Sequence, residues 1–223
     1  MMGTLLLTGA NSSLGLPAVE YLLKKHPSHT VILTVRNLSC DDPNTAKLHT
    51  IIARYPNTKT TISKLDLSSL EDVRTFATQL QEQVAQGKIP ELAAIVCNAM
   101  NWSMGGAKYS EDGLELSMAV NHLSQLSLVL RLLKSMDTKS GRIVFLSSEA
   151  HYPKKARFEV YPPSIPQNLE EWVHPKEYKT GEEAGRGFWR YGVSKLAVVM
   201  GMYALSRRLK RVSLYQNKDM MIK

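Results

Sequence analysis

The chain has 223 residues, of which 43% are hydrophobic and 22% charged, as expected for one globular domain with a substantial core. Its formal net charge is +8 at neutral pH. This charge fits a solvated basic surface, a polyanionic ligand or contact with an acidic membrane surface. The Lys and Arg residues are dispersed and no nucleic-acid-binding motif accompanies them, so we do not expect nucleic acid as a partner.

Cysteine and histidine usage argues against disulfides and metal. Cys40 and Cys97 form no disulfide framework and fit a reducing compartment. The six histidines lack ligand spacing, so no metal site is expected. The sequence starts without a basic leader and contains no apolar stretch of about 20 residues. We therefore expect a cytoplasmic protein without a cleaved signal or a transmembrane segment.

Short apolar strands alternate with amphipathic helices along the chain. In chain order, strands are predicted at 4–7, 30–35, 60–65, 92–97 and 142–146, and helices at 14–25, 45–54, 68–84, 113–133 and 189–209. The third helix opens with a sequence that resembles a capping box, from Ser68 to Glu71. The alternation predicts an α/β fold: a doubly wound, Rossmann-like parallel sheet in three α/β/α layers. In such a sheet, ligands bind at the carboxyl ends of the strands.

Residues 151–188, called the flap below, interrupt this alternation. Five prolines prevent a long regular element there: Pro153, Pro162, Pro163, Pro166 and Pro175. An irregular segment of this length inside a compact domain is more often functional than idle. The flap is interpreted as a partly ordered cover beside the site, with a disordered surface insertion as the alternative. Without repeats or low-complexity tracts, residues 1–223 are expected to form a single domain.

Two distant motifs fit one kind of site. The segment from Thr8 to Gly15 is typical of a strand-to-helix loop that binds a dinucleotide phosphate. Tyr191 and Lys195 are four residues apart, which places a phenol and an ammonium on one face of a helix. That pair can deliver a proton near neutral pH. Together the motifs indicate hydride chemistry with a nicotinamide cofactor.

The arrangement resembles the short-chain dehydrogenase/reductase family from the first strand to about residue 215. The family's glycine loop reads Thr-Gly-x-x-x-Gly-x-Gly, and Ser13 occupies its middle glycine position. The serine adds a hydroxymethyl group that can donate a hydrogen bond. The resemblance implies that this loop holds the cofactor phosphates through Gly9, Asn11, Ser12, Ser13, Leu14 and Gly15.

The resemblance also assigns residues after the next three strands. Arg36 takes a position where an Arg can pair with the 2′-phosphate of NADP, although it is alternatively a simple surface residue. Asp66 and Leu67 match the family's adenine-contacting pair, with a turn role as the alternative for Asp66. Asn98 and Ala99 match the family's Asn-Ala-Gly, in which Met100 replaces the glycine.

Four residues match the family's catalytic set. Asn121 resembles the helix asparagine that holds a water in a proton relay, and a packed polar residue is the alternative. Ser148 would hold the substrate oxygen, with Ser147 as the second choice. Tyr191 would be the acid or base, since Lys195 stabilises its phenolate and also binds the nicotinamide ribose.

The implied activity is reduction of a ketone or aldehyde to an alcohol with NADP(H). The aromatic residues of the flap and the tryptophan that follows it favour an apolar steroid-, polyketide- or retinoid-like substrate: Tyr152, Phe158, Tyr161, Trp172, Tyr178, Phe188 and Trp189. The partners implied are this small molecule and, by resemblance alone, further copies of the chain. The alternative is a non-catalytic nucleotide-binding or interaction protein on the same fold, favoured by the altered glycines.

The last prediction concerns the C-terminus. Residues 211–215 read as the start of a sixth strand, after which the family has a Pro-Gly turn, a substrate-covering segment and a last strand. Only residues 216–223 follow here, and no Pro occurs after Pro175. The sequence therefore predicts a C-terminally truncated family member whose activity is weak or absent.

Overall fold

The computed structural model describes residues 2–211, which form a parallel sheet covered by helices on both faces. The strand order is β3-β2-β1-β4-β5. The strands are β1 (Thr4–Thr8), β2 (Thr30–Val35), β3 (Thr60–Lys64), β4 (Leu92–Cys97) and β5 (Arg142–Phe145). All four pairings are parallel, which confirms the predicted doubly wound α/β fold.

Seven α-helices and three shorter helical turns connect or follow these strands in the described chain. The α-helices are α1 (Gly15–Lys25), α2 (Pro43–Ala53), α3 (Leu70–Ala85), α4 (Leu116–Met118), α5 (Ser124–Leu132), α6 (Glu170–Val173) and α7 (Glu183–Arg211). A π-helical turn, Ala119–Leu123, joins α4 to α5, and 3₁₀ turns lie at Leu133–Ser135 and Glu149–His151. Residues 116–135 are thus helical almost without a break.

Side-chain alternation along the strands builds the two apolar layers. Leu7 and Leu33 point to one face, where they pack with residues of α1 and α2. Leu6 and Ile32 point to the other face and pack with residues of α3, α5 and α7. Since neighbouring residues of a strand face opposite ways, continuous apolar strands are what a sheet covered on both faces needs.

All five predicted helices begin at other residues than expected, and the local structure is described for three of them. The helix expected from residue 113 begins at Leu116, because an antiparallel bridge between Tyr109 and Glu115 precedes it. The cap of α3 is Ser69, whose hydroxyl accepts from the amide of Asp72, and Ser68 instead bonds to Asp66. The last helix begins at Glu183 and not at residue 189, so the final part of the flap is helical.

Contrary to the expectation that no such stretch exists, the segment Leu116–Ser135 is long and apolar enough to cross a membrane by length and composition alone. Half of its most apolar window is buried inside the protein. Leu128, Val129 and Leu132 belong to the core under the sheet. The contacts describe a core helix. The sixth strand was expected to start at residues 211–215; Arg211 is instead the last described residue of α7, and residues 212–215 lie outside the described chain.

Candidate active site

The loop between β1 and α1 lies against the end of β4. Gly9 has φ +64°, and a Cβ added there would lie 2.8 Å from the Cα of Ala99. Only glycine combines this left-handed backbone with such a close approach. The Ser12 hydroxyl accepts from the amide of Gly15 at 2.9 Å, which closes the turn at the buried start of α1.

Three backbone amides at this turn are free to bind an anion. The N–H groups of Asn11, Ser13 and Leu14 have no hydrogen-bond acceptor within residues 2–211. They lie at the N-terminal end of α1, where the helix dipole favours negative charge. Ser13 is exposed and its φ is not positive, so the missing glycine costs no backbone strain. The loop therefore fits the phosphates of a dinucleotide.

Asn98 and Thr8 tie the two strand ends together beneath the loop. The Asn98 amide donates to the carbonyl of Thr8 at 2.9 Å and to that of Gly9 at 3.0 Å. The Thr8 hydroxyl accepts from the backbone amides of Asn98 at 3.0 Å and Ala99 at 3.1 Å. Asn98 is thus a support of the loop and does not line the groove described next.

A groove of about 510 Å³ opens above the strand ends. Seven of the predicted cofactor residues line it: Gly9, Asn11, Ser12, Arg36, Asp66, Leu67 and Ala99. Arg36 is exposed at its rim, and its guanidinium makes no hydrogen bond to any described residue. One oxygen of Asp66 accepts from the amide and hydroxyl of Ser68, while the other has no partner in the described chain. Met100, 46% exposed, also lines the groove.

The predicted proton donor and its lysine lie on α7 next to the end of β5. Lys195 is only 3% exposed, and its Nζ lies 5.8 Å from the ring centroid of Tyr191. The ammonium donates to the carbonyl oxygen of Leu146 at 2.8 Å. Burial lowers the pKa of Lys195 to about 8. The Tyr191 hydroxyl makes no hydrogen bond within the described chain, which leaves it available to a ligand.

The two serines after β5 differ in what their hydroxyls do. Ser147 donates its proton to the carbonyl oxygen of Lys195 at 3.2 Å. Ser148 only accepts, from the amide of Ala150 at 3.3 Å, so its proton remains free for a ligand oxygen. Of the two candidate serines, Ser148 is thus the one whose hydroxyl proton is uncommitted within the described chain.

Asn121 lies in the π turn and is 3% exposed. Its amide nitrogen donates to the carbonyl of Asn101 and to the hydroxyl of Ser194, both at 2.9 Å, and its oxygen accepts from the amide of Asn101 at 2.7 Å. Both amide hydrogens are therefore committed to protein partners. The side chain joins the segment after β4 to α7. Its amide hydrogens are therefore not available to bind a relay water, which other atoms would have to hold.

Residues 101–106, called the wall loop, were not singled out in the sequence. Their Trp102 stacks on Tyr191, with ring centroids 5.7 Å apart and planes at 29°. Phe188 contacts both rings, and Phe158 contacts Phe188. Aromatic residues therefore surround the predicted proton donor. A lone Trp four residues after Asn98 was the available signal, since the strand prediction already placed Asn98 at the site.

The wall loop rests directly on α7. A Cβ added to Gly187 would lie 2.3 Å from the carbonyl oxygen of Ser103, so only glycine permits this approach. The next turn holds Arg190, which is 4% exposed and donates to the carbonyl of Gly105 at 2.6 Å. Arg190 also forms a buried ion pair with Glu115 at 3.2 Å. These contacts fix the position of the loop and hence of its tryptophan.

A model of the short chain dehydrogenase family matches residues 3–164. The chain belongs to the short-chain dehydrogenase family. This is a family of oxidoreductases that bind NAD(P). The groove and the turn of α7 that carries Tyr191 and Lys195, called the Tyr191 turn, lie where the family's chemistry is expected. The residues that match the family's motifs are the ones described above at the strand ends and on α7.

Relatives and solved structures resemble almost the whole chain. It is 30% identical to the short-chain dehydrogenase iccH of Talaromyces variabilis, over 94% of this chain and 65% of that protein. It is 33% identical to the short chain dehydrogenase macD of Penicillium terrestre, over 92% of this chain and 61% of that protein. The crystal structure of a putative uncharacterized protein from Mycobacterium Paratuberculosis superposes on this chain with a TM-score of 0.68 at 28% identity. The superposition covers 94% of this chain and 63% of that protein. The chain thus spans less than two thirds of each of these proteins.

Proposed function

We propose that the protein is an NADPH-dependent carbonyl reductase. The observation that carries this proposal is the Tyr191 turn: a phenol without a hydrogen-bond partner in the described chain, beside a buried lysine ammonium. NADPH, when bound, supplies the hydride that adds to the carbonyl carbon. Tyr191 donates the proton to the carbonyl oxygen, and the free hydroxyl proton of Ser148 holds that oxygen in place.

Lys195 maintains a positive charge next to the phenol. With its pKa lowered to about 8 by burial, it remains mostly protonated at neutral pH. A positive charge nearby stabilises the phenolate that proton donation leaves behind. The same ammonium supports binding of the nicotinamide ribose, and Asn121 supports the site by holding the wall loop.

The preference for NADPH over NADH rests on Arg36. Its guanidinium, exposed on the groove rim, is free to form a charge-assisted hydrogen bond with the 2′-phosphate. A solved short-chain oxidoreductase from a metagenome was crystallised with NADP, and at 18% identity it supports only the common fold. The free backbone amides of the glycine loop are proposed to bind the pyrophosphate that links the two halves of the cofactor.

The substrate is proposed to be an apolar carbonyl compound of steroid-, polyketide- or retinoid-like character. The support is the aromatic lining described above, of which Phe158 and Phe188 belong to the flap. The flap then covers the substrate as it lies against Tyr191. We further propose a cytoplasmic location, consistent with two cysteines that form no disulfide in the structure.

Cofactor titration tests the proposal. NADPH and NADH are titrated into wild type, Arg36→Ala and the control Arg54→Ala, an exposed arginine that pairs with Glu20 outside the groove. A charge-assisted hydrogen bond is worth about 1.5–3 kcal/mol, so Arg36→Ala should weaken NADPH by roughly ten- to a hundredfold and leave NADH unchanged. Equal wild-type affinities would overturn the NADPH assignment.

Turnover is then followed as loss of NADPH absorbance with a panel of ketones and aldehydes. Consumption of NADPH that depends on the ketone supports reduction. Tight NADPH binding with no turnover across the panel would instead support the alternative of a non-catalytic nucleotide-binding protein.

A further inference from the structure

Trp102 combines exposure with a fixed position. It is 43% exposed, although Tyr191 stacks on it and Phe188 meets it edge-on at 6.2 Å. An exposed tryptophan on a surface loop is normally free to change rotamer and loses entropy when a ligand orders it. Here the wall loop is held by Gly187 and Arg190, so the indole is ordered before any ligand arrives.

The geometry brings the indole next to the reacting oxygen. The Trp102 and Tyr191 rings lie within 29° of parallel, with their centroids 5.7 Å apart. A substrate whose carbonyl oxygen reaches the Tyr191 hydroxyl must place its adjoining carbon atoms beside these rings. Planar π systems interact with such rings in offset-stacked or edge-to-face arrangements, which a saturated ring cannot reproduce.

We propose that Trp102 is a specificity-determining residue that selects carbonyl compounds with a planar aromatic or conjugated ring next to the carbonyl. This inference rests on the proposed carbonyl reduction at the same site and narrows its substrate class. The fixed indole lowers the entropic cost of binding a flat ring. Trp102 affects how tightly the ring of the substrate binds, and Tyr191 alone donates the proton.

Two ketones with the same carbon skeleton test the inference. Acetophenone and cyclohexyl methyl ketone differ in the planarity of the ring, and each is assayed with wild type and Trp102→Leu. Loss of one stacking contact should lower kcat/KM for acetophenone about tenfold, mainly through a higher KM, with a change below about twofold for the saturated ketone. An equal change for both ketones, or no change for either, would overturn the inference.

Two further variants separate the ring contact from damage to the fold. Trp102→Phe keeps an aromatic face and should recover most of the acetophenone preference. Tyr21→Leu removes an aromatic side chain that is 60% exposed on α1, far from the site, and should leave the ratio of the two ketones at the wild-type value. A Trp102→Phe variant that behaves like Trp102→Leu would count against a stacking role.

A binding measurement keeps the inference separate from the proposed function. 2-Acetylnaphthalene is titrated calorimetrically into the protein with excess NADP⁺, a state in which no hydride is available. If wild type reduces no ketone yet binds 2-acetylnaphthalene about tenfold more tightly than Trp102→Leu, the inference about Trp102 stands and carbonyl reduction fails. Equal affinities, or no binding to wild type, would overturn the inference whether or not turnover occurs.

Discussion

The two halves of the site are held in different ways. On the cofactor side, the glycine loop and the groove rest on neighbouring strand ends that the Thr8 hydroxyl and the Asn98 amide join through buried hydrogen bonds. On the substrate side, the wall loop rests on α7, from which it is distant in sequence, and the flap leads directly into that helix. The first half depends on regular structure and the second on a few long-range contacts, so substitutions should affect them differently.

The largest expected effect is on chemistry alone. Tyr191→Phe removes the proton donor and keeps the ring that stacks on Trp102. We expect turnover to fall by at least about a hundredfold, because general acid catalysis contributes about 10²–10⁴-fold. The affinity for NADPH and the melting temperature should stay near wild type. A variant that retains most of its rate would show that another group supplies the proton.

The next largest expected effect is a loss of stability and of NADPH affinity on the cofactor side of the site. Gly9→Ala places a methyl group 2.8 Å from the Cα of Ala99 and forces alanine into a left-handed backbone. Overpacking and backbone strain of this kind cost about 1–3 kcal/mol each, so the melting temperature should drop and NADPH should bind more weakly. The matched control is Gly106→Ala, where an added Cβ meets nothing within 4 Å. Equal melting temperatures for the two variants would contradict the close approach.

A smaller effect tests the buried ammonium through pH. The pKa of Lys195 is lowered by burial to about 8 from 10.5, so the unfolded chain binds more protons between these values. Folding of the wild type therefore carries a penalty of about 3 kcal/mol below pH 8, which disappears as the pH rises toward 10.5. Lys195→Met removes the penalty but leaves the Leu146 carbonyl without its donor.

The net gain of Lys195→Met should be about 0–2 kcal/mol at pH 7, since an unsatisfied buried acceptor costs about 1–3 kcal/mol. Chemical denaturation at several pH values between 6 and 9.5 measures it. The stability advantage of the variant should shrink as the pH rises above 8, while its turnover is lost throughout. An advantage that does not change with pH would show that the lysine is not desolvated in the folded protein.

The last effect tests the contact between the wall loop and α7. Gly187→Ala improves helix propensity by about 1 kcal/mol but pushes a methyl group against the backbone carbonyl of Ser103, and overpacking of this kind costs about 1–3 kcal/mol, so we expect a net loss of at most about 2 kcal/mol. The measured quantity is the acetophenone preference, the ratio of kcat/KM for acetophenone to that for cyclohexyl methyl ketone. This ratio should fall because the added methyl group displaces the wall loop. The control Gly185→Ala contacts only side chains, of Tyr161 and Val160 at 3.0 Å, and should keep the preference. Loss of the preference in both variants would place its origin in the flap.

The same division separates what the sequence predicted from what it did not. Strands β2 and β4 were predicted with their observed bounds, because apolar runs bounded by turns are local signals. The Tyr191–Lys195 pair was predicted because helical spacing alone places both side chains on one face. The glycine loop was predicted for a similar reason, since its residues are contiguous.

The wall loop had no such signal. The contact between Gly187 and Ser103 joins residues 84 positions apart, and each residue alone is unremarkable in sequence. The π turn was missed because nothing local distinguishes it, while the buried Asn121 within it satisfies partners on other elements. The early start of α7 was missed because Gly185 and Gly187 are poor helix formers.

Those two glycines leave the first turns of α7 with little intrinsic stability, since each costs about 1 kcal/mol relative to alanine. Tyr161 and Val160 of the flap pack over Gly185, and the wall loop packs over Gly187. Residues 183–190 are therefore helical because their neighbours cover them. We therefore expect loss of the Tyr161 and Val160 contacts to favour fraying of this helix end, which Tyr191 follows directly. A ligand that holds these two residues against Gly185 would thus also keep the helix ordered up to the proton donor.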